Sequence, residues 1–249
     1  MYDPARIHDL SLSYPANYFR LQLLKKSFAD VNDVIDVGCG DGSVMLDLKN
    51  SGKTVRGFDI SPKMVEETKA KGLTAYVVDI TEAKPGEYGG LVATGVMPHI
   101  EDDSMALAKM LGLLKKGGKA FIEFRNSLFS LYTMNRLTVS LFLDDLVSPT
   151  FHDAVGNDLT NRLHIELPKE RPYDKIPAKF HNPFEVLKTM ESIGFKDCNI
   201  LWYHYHVAPP FAENWNARAF REEAISLEGT ESWKSPFVCS AFVVEAYCG

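Results

Sequence analysis

The stretch Asp36-Val37-Gly38-Cys39-Gly40-Asp41-Gly42-Ser43 decides how this chain folds. Before it, Val34-Ile35-Asp36-Val37 is a short apolar run of strand type; after it, residues 43–48 follow a helical pattern that stops at Ser51-Gly52. Strand, glycine loop and helix in that order open a βαβ unit. Glycines there allow a tight turn and let a ligand approach the main chain. The alternation continues downstream. Residues 54–58 read as a second strand, Ser61-Pro62 as the start of a helix reaching Lys71-Gly72, and residues 75–78 as a third strand. Residues 90–94 read as a fourth strand and 104–114 as a helix closed by Lys115-Lys116-Gly117-Gly118, with residues 119–124 the fifth strand.

Past Arg125 this regularity lapses for more than 50 residues, then resumes with a helix at 183–193, a strand at 199–206 and a last strand at 236–247. An irregular piece of that length is usually functional. Leu128, Leu131, Tyr132, Phe142 and Leu146 fall near one helical face, which predicts a helical cap inserted over residues 127–181. Upstream, residues 1–30 form a leading segment whose helix, 15–29, places Tyr18, Leu21 and Leu24 near one face. Residues 1–249 therefore read as a single α/β domain with no internal repeat.

A length of 249 residues, 45% hydrophobic and 24% charged, suits one domain with a full core and excludes disordered and low-complexity classes. Lys+Arg 27 against Asp+Glu 33 gives a net charge of −6, which argues against a nucleic-acid partner. The start, Met1-Tyr2-Asp3-Pro4-Ala5-Arg6, has no apolar secretory core. The most apolar stretch, 128–146, is broken by Asn135, Arg136, Asp144 and Asp145 and falls short of a membrane span. Cys39, Cys198, Cys239 and Cys248 lack metal-ligand spacing and suit reduced thiols in a cytoplasmic protein. The expectation is a cytoplasmic protein acting on a small molecule, with no membrane, nucleic acid or bound metal.

Two ligand classes use such a glycine loop: dinucleotides and S-adenosylmethionine. The dinucleotide fingerprint G-x-G-x-x-G requires glycine where Ser43 stands; the glycines here fall at 38, 40 and 42. Charge separates the classes further. Asp36 and Asp41 would repel a pyrophosphate, whereas the ammonium and sulfonium of S-adenosylmethionine are attracted by carboxylates. Asp59 ends the second strand, where a carboxylate can accept both ribose hydroxyls. Asp79 ends the third, where it can accept from the adenine amino group, with Ile80 covering the ring. Cys39 reads as a small residue that fits the turn.

With these residues in place, the sequence resembles the class I S-adenosylmethionine-dependent methyltransferases. The resemblance rests on Asp36-x-Gly38-x-Gly40-x-Gly42, Asp59, Asp79, the stretch 95–102 and Gly117-Gly118-Lys119. It implies a Rossmann-like three-layer sandwich with a seven-stranded, mostly parallel sheet in the order 3-2-1-4-5-7-6, strand seven antiparallel. It also implies that Cys39, Ile60, Thr94 and Gly95 join the cofactor site, and that the product is S-adenosylhomocysteine. Tyr14 to Arg20, the Arg125-Asn126 exit and residues 204–210 are similar to methyltransferases of surface-sugar biosynthesis.

Methyl transfer is an in-line displacement that depends mainly on alignment, worth on the order of 7–11 kcal/mol. A hydroxyl acceptor also needs a base. His99, just past the fourth strand, is the candidate, the alternative being a structural or cofactor-side role. Arg125 and Asn126 leave the fifth strand where an acceptor would sit; Arg125 could hold an anion or pair with Glu123. In Tyr203-His204-Tyr205-His206 a strand would put the histidines on one face and the tyrosines on the other. His204 and His206 could then line the acceptor pocket, pack as aromatics or, with a third ligand, bind a metal. Tyr14 and Tyr18 would close over the site from the leading segment. The reading is O-methylation of a small hydroxylated metabolite such as a sugar. N-methylation of a small amine, and a cofactor-binding protein without turnover, stand as alternatives.

Overall fold

A computed structural model describes residues 16–163 and 179–249. Seven strands form one sheet in the order β3-β2-β1-β4-β5-β7-β6. They are β1 (Asp33–Val37), β2 (Thr54–Asp59), β3 (Thr74–Val77), β4 (Tyr88–Ala93), β5 (Leu114–Arg125), β6 (Phe195–Tyr205) and β7 (Cys239–Cys248). β7 runs antiparallel to both neighbours, and the pairings among β1 to β5 are parallel. This is the order and the hand expected from the resemblance.

Period-two alternation along the central strands builds the three layers. Val34, Val92, Phe121 and Val243 face one side, where they pack with Leu21, Leu24 and Phe28 of and beyond α1 (Ala16–Ser27) and with Leu48 of α2 (Ser43–Asn50). Ile35, Leu91, Ile122 and Val244, each the sequence neighbour of one of these, face the other side. There they meet Leu107 and Met110 of α4 (Asp103–Leu113) and Val186 and Met190 of α8 (Pro183–Ile193). Crossover α3 (Pro62–Ala70) starts under a Ser61 cap whose hydroxyl accepts from Met64 N, with proline in the first turn.

Several sequence expectations shift at their edges, three of them with a physical reason. The helix before β5 ends at Leu113, and Lys115-Lys116-Gly117-Gly118 belongs to β5 rather than to a helix end. Gly117 adopts φ +72°, and a side chain on Gly118 would meet Lys115 O at 2.8 Å, so the strand begins through a glycine bulge opposite Tyr88. β6 starts early, at Phe195, through an irregularity between Lys196 and Asn199. Residues 235–238 form a helical turn, α10 (Ser235–Val238), and the last strand begins at Cys239.

The inserted region contains α5 (Ser130–Thr133), α6 (Arg136–Leu141) and α7 (His152–Leu163). Its first part is not one continuous helix. Met134 takes a left-handed φ of 49°, and Asn135 with Thr138 starts α6 afresh as a capping box. The face drawn from Leu128 to Leu146 is therefore split, and Leu146 is exposed. The two ends of the region are tied together: Ser127 N donates to His181 O at 3.0 Å, and His181 N donates to Arg125 O at 2.7 Å. After β6 come α9 (Ala217–Leu227) and α10.

Asn126 corrects a sequence expectation. It is fully buried; its Nδ2 donates to Pro236 O at 2.6 Å and Cys239 O at 2.7 Å, and its Oδ1 accepts from Leu128 N at 3.0 Å. Both ends of the amide are consumed in joining β5, α10 and β7, so this side chain is scaffold and does not face an acceptor. Asn126→Ala should lower stability in urea denaturation by about 2–4 kcal/mol, the scale for stranding buried backbone groups. A loss within experimental error would remove that role.

Candidate active site

The glycine loop is built by close backbone approach. Gly38 N and Cys39 N both donate to Phe58 O, at 2.7 and 2.9 Å. Gly38 has φ +70°, and a Cβ there would lie 2.2 Å from Val96 Cγ2, so only glycine fits between the loops after β1 and β4. Asp59 ties the loop to β2: Oδ2 accepts from Gly40 N and Oδ1 from Ser61 N, both at 2.8 Å. Thr68 Oγ1 donates to Gly40 O at 2.8 Å.

Two cavities meet at Gly38. One, of about 540 Å³, is lined by Asp59, Ile60, Asp79, Ile80, Gly95 and His99 among others. The second, of about 320 Å³, is lined by Gly40, Ser43 and Thr94 of the sheet side and by Asn17 and Arg20 of α1. Asp79 Oδ1 accepts from Thr81 N at 2.9 Å and from its hydroxyl at 2.8 Å, which fixes the carboxylate at the cavity wall. Ile60 is 69% exposed while Ile80 is buried, so one is an open wall and the other part of the core.

Asp36 is buried to 1% exposure, and its Oδ1 has no hydrogen-bond partner among the described residues. Burial pushes its carboxyl up to about 7; Arg20 pulls the other way, and Asp59 adds to the rise. An orphaned buried carboxylate oxygen is a costly group that a cation would relieve. Asp41, counted with it in the sequence reading, is already served. Lys71 Nζ sits 2.7 Å from its Oδ2, and this bond, with help from Ser43, holds the carboxyl down at about 2. The charge argument for a cationic ligand therefore rests on Asp36. Burial lifts the Cys39 thiol to about 12, with Asp36 and Asp59 adding to it, so it stays protonated as a turn-filling residue.

Residues that sequence reasoning did not assign form a hub. Glu123 Oε2 accepts from Arg20 Nη1 at 2.8 Å and from Gly95 N at 2.7 Å, and its Oε1 accepts from the Tyr203 hydroxyl. Arg20, not Arg125, is thus the partner of Glu123. The available signal was a lone carboxylate in the apolar run Ala120-Phe121-Ile122-Glu123-Phe124. Arg125 is exposed at the end of β5. Tyr14 lies outside the described residues, and Tyr18 is half-buried against Phe19 at 5.4 Å.

His204 and His206 are brought together, their ring centroids 4.9 Å apart, though not by simple alternation. His204 has a left-handed φ of 61°, and Glu228 Oε1 accepts from His204 N and Tyr205 N at 2.8 and 3.1 Å. Tyr203 and Tyr205 are both buried. Burial pulls His204 down to about 4 and His206 to about 3, so both rings are neutral near pH 7. The His206 ring packs at a tilt of 40° against Phe129, 4.6 Å between centroids, in the first turn of the inserted region. Among the described residues no three His, Cys, Asp or Glu side chains cluster as metal ligands, and no helix is long and apolar enough to cross a membrane.

The comparisons with known proteins agree with this geometry. A model of the family described as "Methyltransferase domain" matches residues 35–122. The chain is 26% identical over 102 residues to the ubiquinone biosynthesis O-methyltransferase of Xanthomonas euvesicatoria pv. vesicatoria, covering 37% of this chain and 43% of that protein. It thus spans less than half the length of that curated relative. A Thermotoga maritima structure, described as a SAM-dependent methyltransferase and possible histamine N-methyltransferase, superposes with a TM-score of 0.59 at 15% identity over 94% of this chain and 90% of that one. Magnesium protoporphyrin IX methyltransferase from Synechocystis, solved with bound SAH, gives 0.53 at 18% identity, covering 94% of this chain and 85% of that one. At these identities the structures share the fold.

A carboxyl whose folded pKa is raised destabilises the fold once the unfolded chain has lost its proton. Stability should therefore fall as pH climbs from about 4 to about 7, the interval between the ordinary and folded values of Asp36. In urea denaturation across that range, Asp36→Asn should gain steadily on the parent protein and level off above it. Parallel profiles would show that the Asp36 proton is not the cause.

Proposed function

We propose that the protein transfers a methyl group from S-adenosylmethionine to a hydroxyl of a small acceptor, a reading supported by the match of residues 35–122 to a model described as "Methyltransferase domain" and by the strand order. One observation carries this reading: two cavities share Gly38, one walled by Asp59 and Asp79, the other by the glycine loop and Arg20. That division suits a ligand with a nucleoside at one end and an amino acid at the other. The orphaned Asp36 oxygen meets the demand of an ammonium group.

When bound, S-adenosylmethionine supplies a methyl group on a positively charged sulfur. The rest is the work of this chain's residues. Asp59, whose oxygens each hold one backbone N–H, retains lone pairs for ribose hydroxyls, and Asp79 retains acceptor capacity for an adenine amino group. Asp36 takes the ammonium side, and Arg20 opposes the carboxylate. His99 shares the wall of the larger cavity with residues 95, 96 and 100–102, away from Asp59 and Asp79 in sequence, and we assign it the proton of an acceptor hydroxyl that enters on that side. To the helices of the inserted region, held by Phe129 against His206, we assign the covering of the acceptor and the exclusion of water. Neutral His204 and His206 suit an uncharged acceptor on that side. Oxygen as the receiving atom is supported by the O-methyltransferase activity in the name of the Xanthomonas relative. A sugar or similar metabolite is our choice of acceptor on the similarity of the 14–20 and 204–210 stretches alone; nothing in the names of the relatives adds to it.

In titration calorimetry S-adenosylhomocysteine should bind and NAD should not. Its affinity should rise with pH through about 7, because Asp36 must lose its proton to face an ammonium, and this rise should vanish in Asp36→Asn. Asp59→Ala should weaken binding by roughly 1.5–3 kcal/mol. Undiminished affinity would remove Asp59 from the site. His99→Asn should spare cofactor affinity while lowering turnover on a hydroxyl acceptor by roughly 100-fold or more. Near-parental turnover would end the base assignment, and lost cofactor binding would make His99 a cofactor-side residue.

A further inference from the structure

The residues that end the inserted region grip the loop that carries His99. Lys179 N donates to Pro98 O at 2.8 Å, and Lys179 Nζ donates to Glu101 O and lies 3.4 Å from Asp103 Oδ1. His181 Nε2 lies 3.3 Å from Asp103 Oδ2, while its backbone is bonded to Arg125 and Ser127 at the exit of β5. The His181 ring packs edge-on against Phe124 of β5, 5.1 Å between centroids. This short strap therefore reaches residues 98, 101 and 103 on one side and 124 to 127 on the other. His99, Ile100, Glu101 and Asp102 line the larger cavity. The strap bonds to the carbonyls of 98 and 101 and to the Asp103 carboxylate.

Buried Met97 and Pro98 anchor the start of the 97–103 segment in the core, and Ile100 packs against it, while His99 to Asp102 run along the cavity wall. The segment's own backbone bonds are a single short turn, His99 N to Val96 O and Ile100 N to Met97 O, followed by the Asp102 cap of α4. We propose that Lys179 and His181 are positioning residues: they set the place of the 97–103 loop, and with it the cavity wall and His99, from the end of the inserted region. The proposal rests on the cofactor reading for its functional consequence, though the strap itself can be tested without ligand. It follows that any rearrangement of the inserted region around an acceptor is transmitted to the cofactor cavity. By linkage, cofactor occupancy is transmitted back to the inserted region with the same free energy.

Lys179→Met keeps the apolar stem and the backbone bond to Pro98 but removes both ammonium contacts; Lys179→Arg keeps a cation within reach. Hydrogen exchange on the full-length protein, without ligand, should show faster exchange confined to residues 97–103 in Lys179→Met, with residues 36–42 unchanged. Lys179→Arg should restore protection. S-adenosylhomocysteine affinity by calorimetry should drop about 5-fold or more in Lys179→Met and return in Lys179→Arg. A strap that only staples the surface predicts unchanged loop exchange and affinity within 2-fold, and that result would overturn the proposal. Faster exchange spread over the whole chain would also overturn it, since the strap would then be a general stability contact. Failure of the parent protein to bind S-adenosylhomocysteine would instead sink the cofactor reading. The ligand-free exchange experiment would still decide whether the strap positions the loop.

Discussion

Everything at the candidate site depends on one close approach, the meeting of the loops after β1, β2 and β4 around Gly38. Two backbone N–H groups of the glycine loop converge on the single carbonyl of Phe58, and the Val96 side chain fills the space where a Cβ would stand. Parallel strands leave the sheet at the same end, so their loops crowd there by topology. Crowding becomes a cleft only because glycine removes bulk at the point of contact. The Asp59 carboxylate then locks the arrangement from β2, and the two cavities open on either side of the same glycine.

The electrostatics follow a similar division of labour. Of the two acids in the glycine loop, one is neutralised by a neighbour and the other is left unsatisfied in the interior. Asp41 with Lys71 is a surface pair that holds the loop to the end of α3. Asp36 has lost its water without receiving a full complement of partners, and Glu123 keeps the nearby Arg20 engaged. Unpaired buried charge is rare in cores because it costs more than most contacts return. Asp36 stands two residues before Gly38, the residue both cavities share, and that placement is why we assign its free oxygen to a ligand.

Much of this was legible in the amino-acid sequence, and what was not has definite reasons. Residues 34–37 and the three glycines announced the first strand and its loop, Asp59 marked the end of the second strand, and Asp79 falls in the turn two residues past the third, because strand length and glycine placement are local properties. The boundary at Lys115-Gly118 was misjudged because a basic, glycine-ended turn and a glycine bulge look alike until the strand partner, Tyr88, is known. The single helical face drawn from Leu128 to Leu146 is split at Met134, where a left-handed residue interrupts a sequence that carries no proline or glycine. The Arg20–Glu123–Tyr203 hub spans 103 and 80 residues of chain, and no spacing rule pairs side chains at that range. Asn126 looked like an exit-loop ligand and proved to be a bracket between strands, a distinction that depends only on burial.

The joined ends of the inserted region have a consequence for how such a fold diversifies. Residues 125–127 and 181 are hydrogen-bonded to one another, and Asn126 pairs with His181 as a parallel bridge. The excursion between them therefore begins and ends at one point on the sheet. The entropic cost of closing a loop grows only with the logarithm of its length. Segments of quite different size could then be spliced in at this point without disturbing the strand order or the glycine loop. Novelty in what the protein recognises can accumulate there, while the half of the site built on β1, β2 and β3 stays fixed.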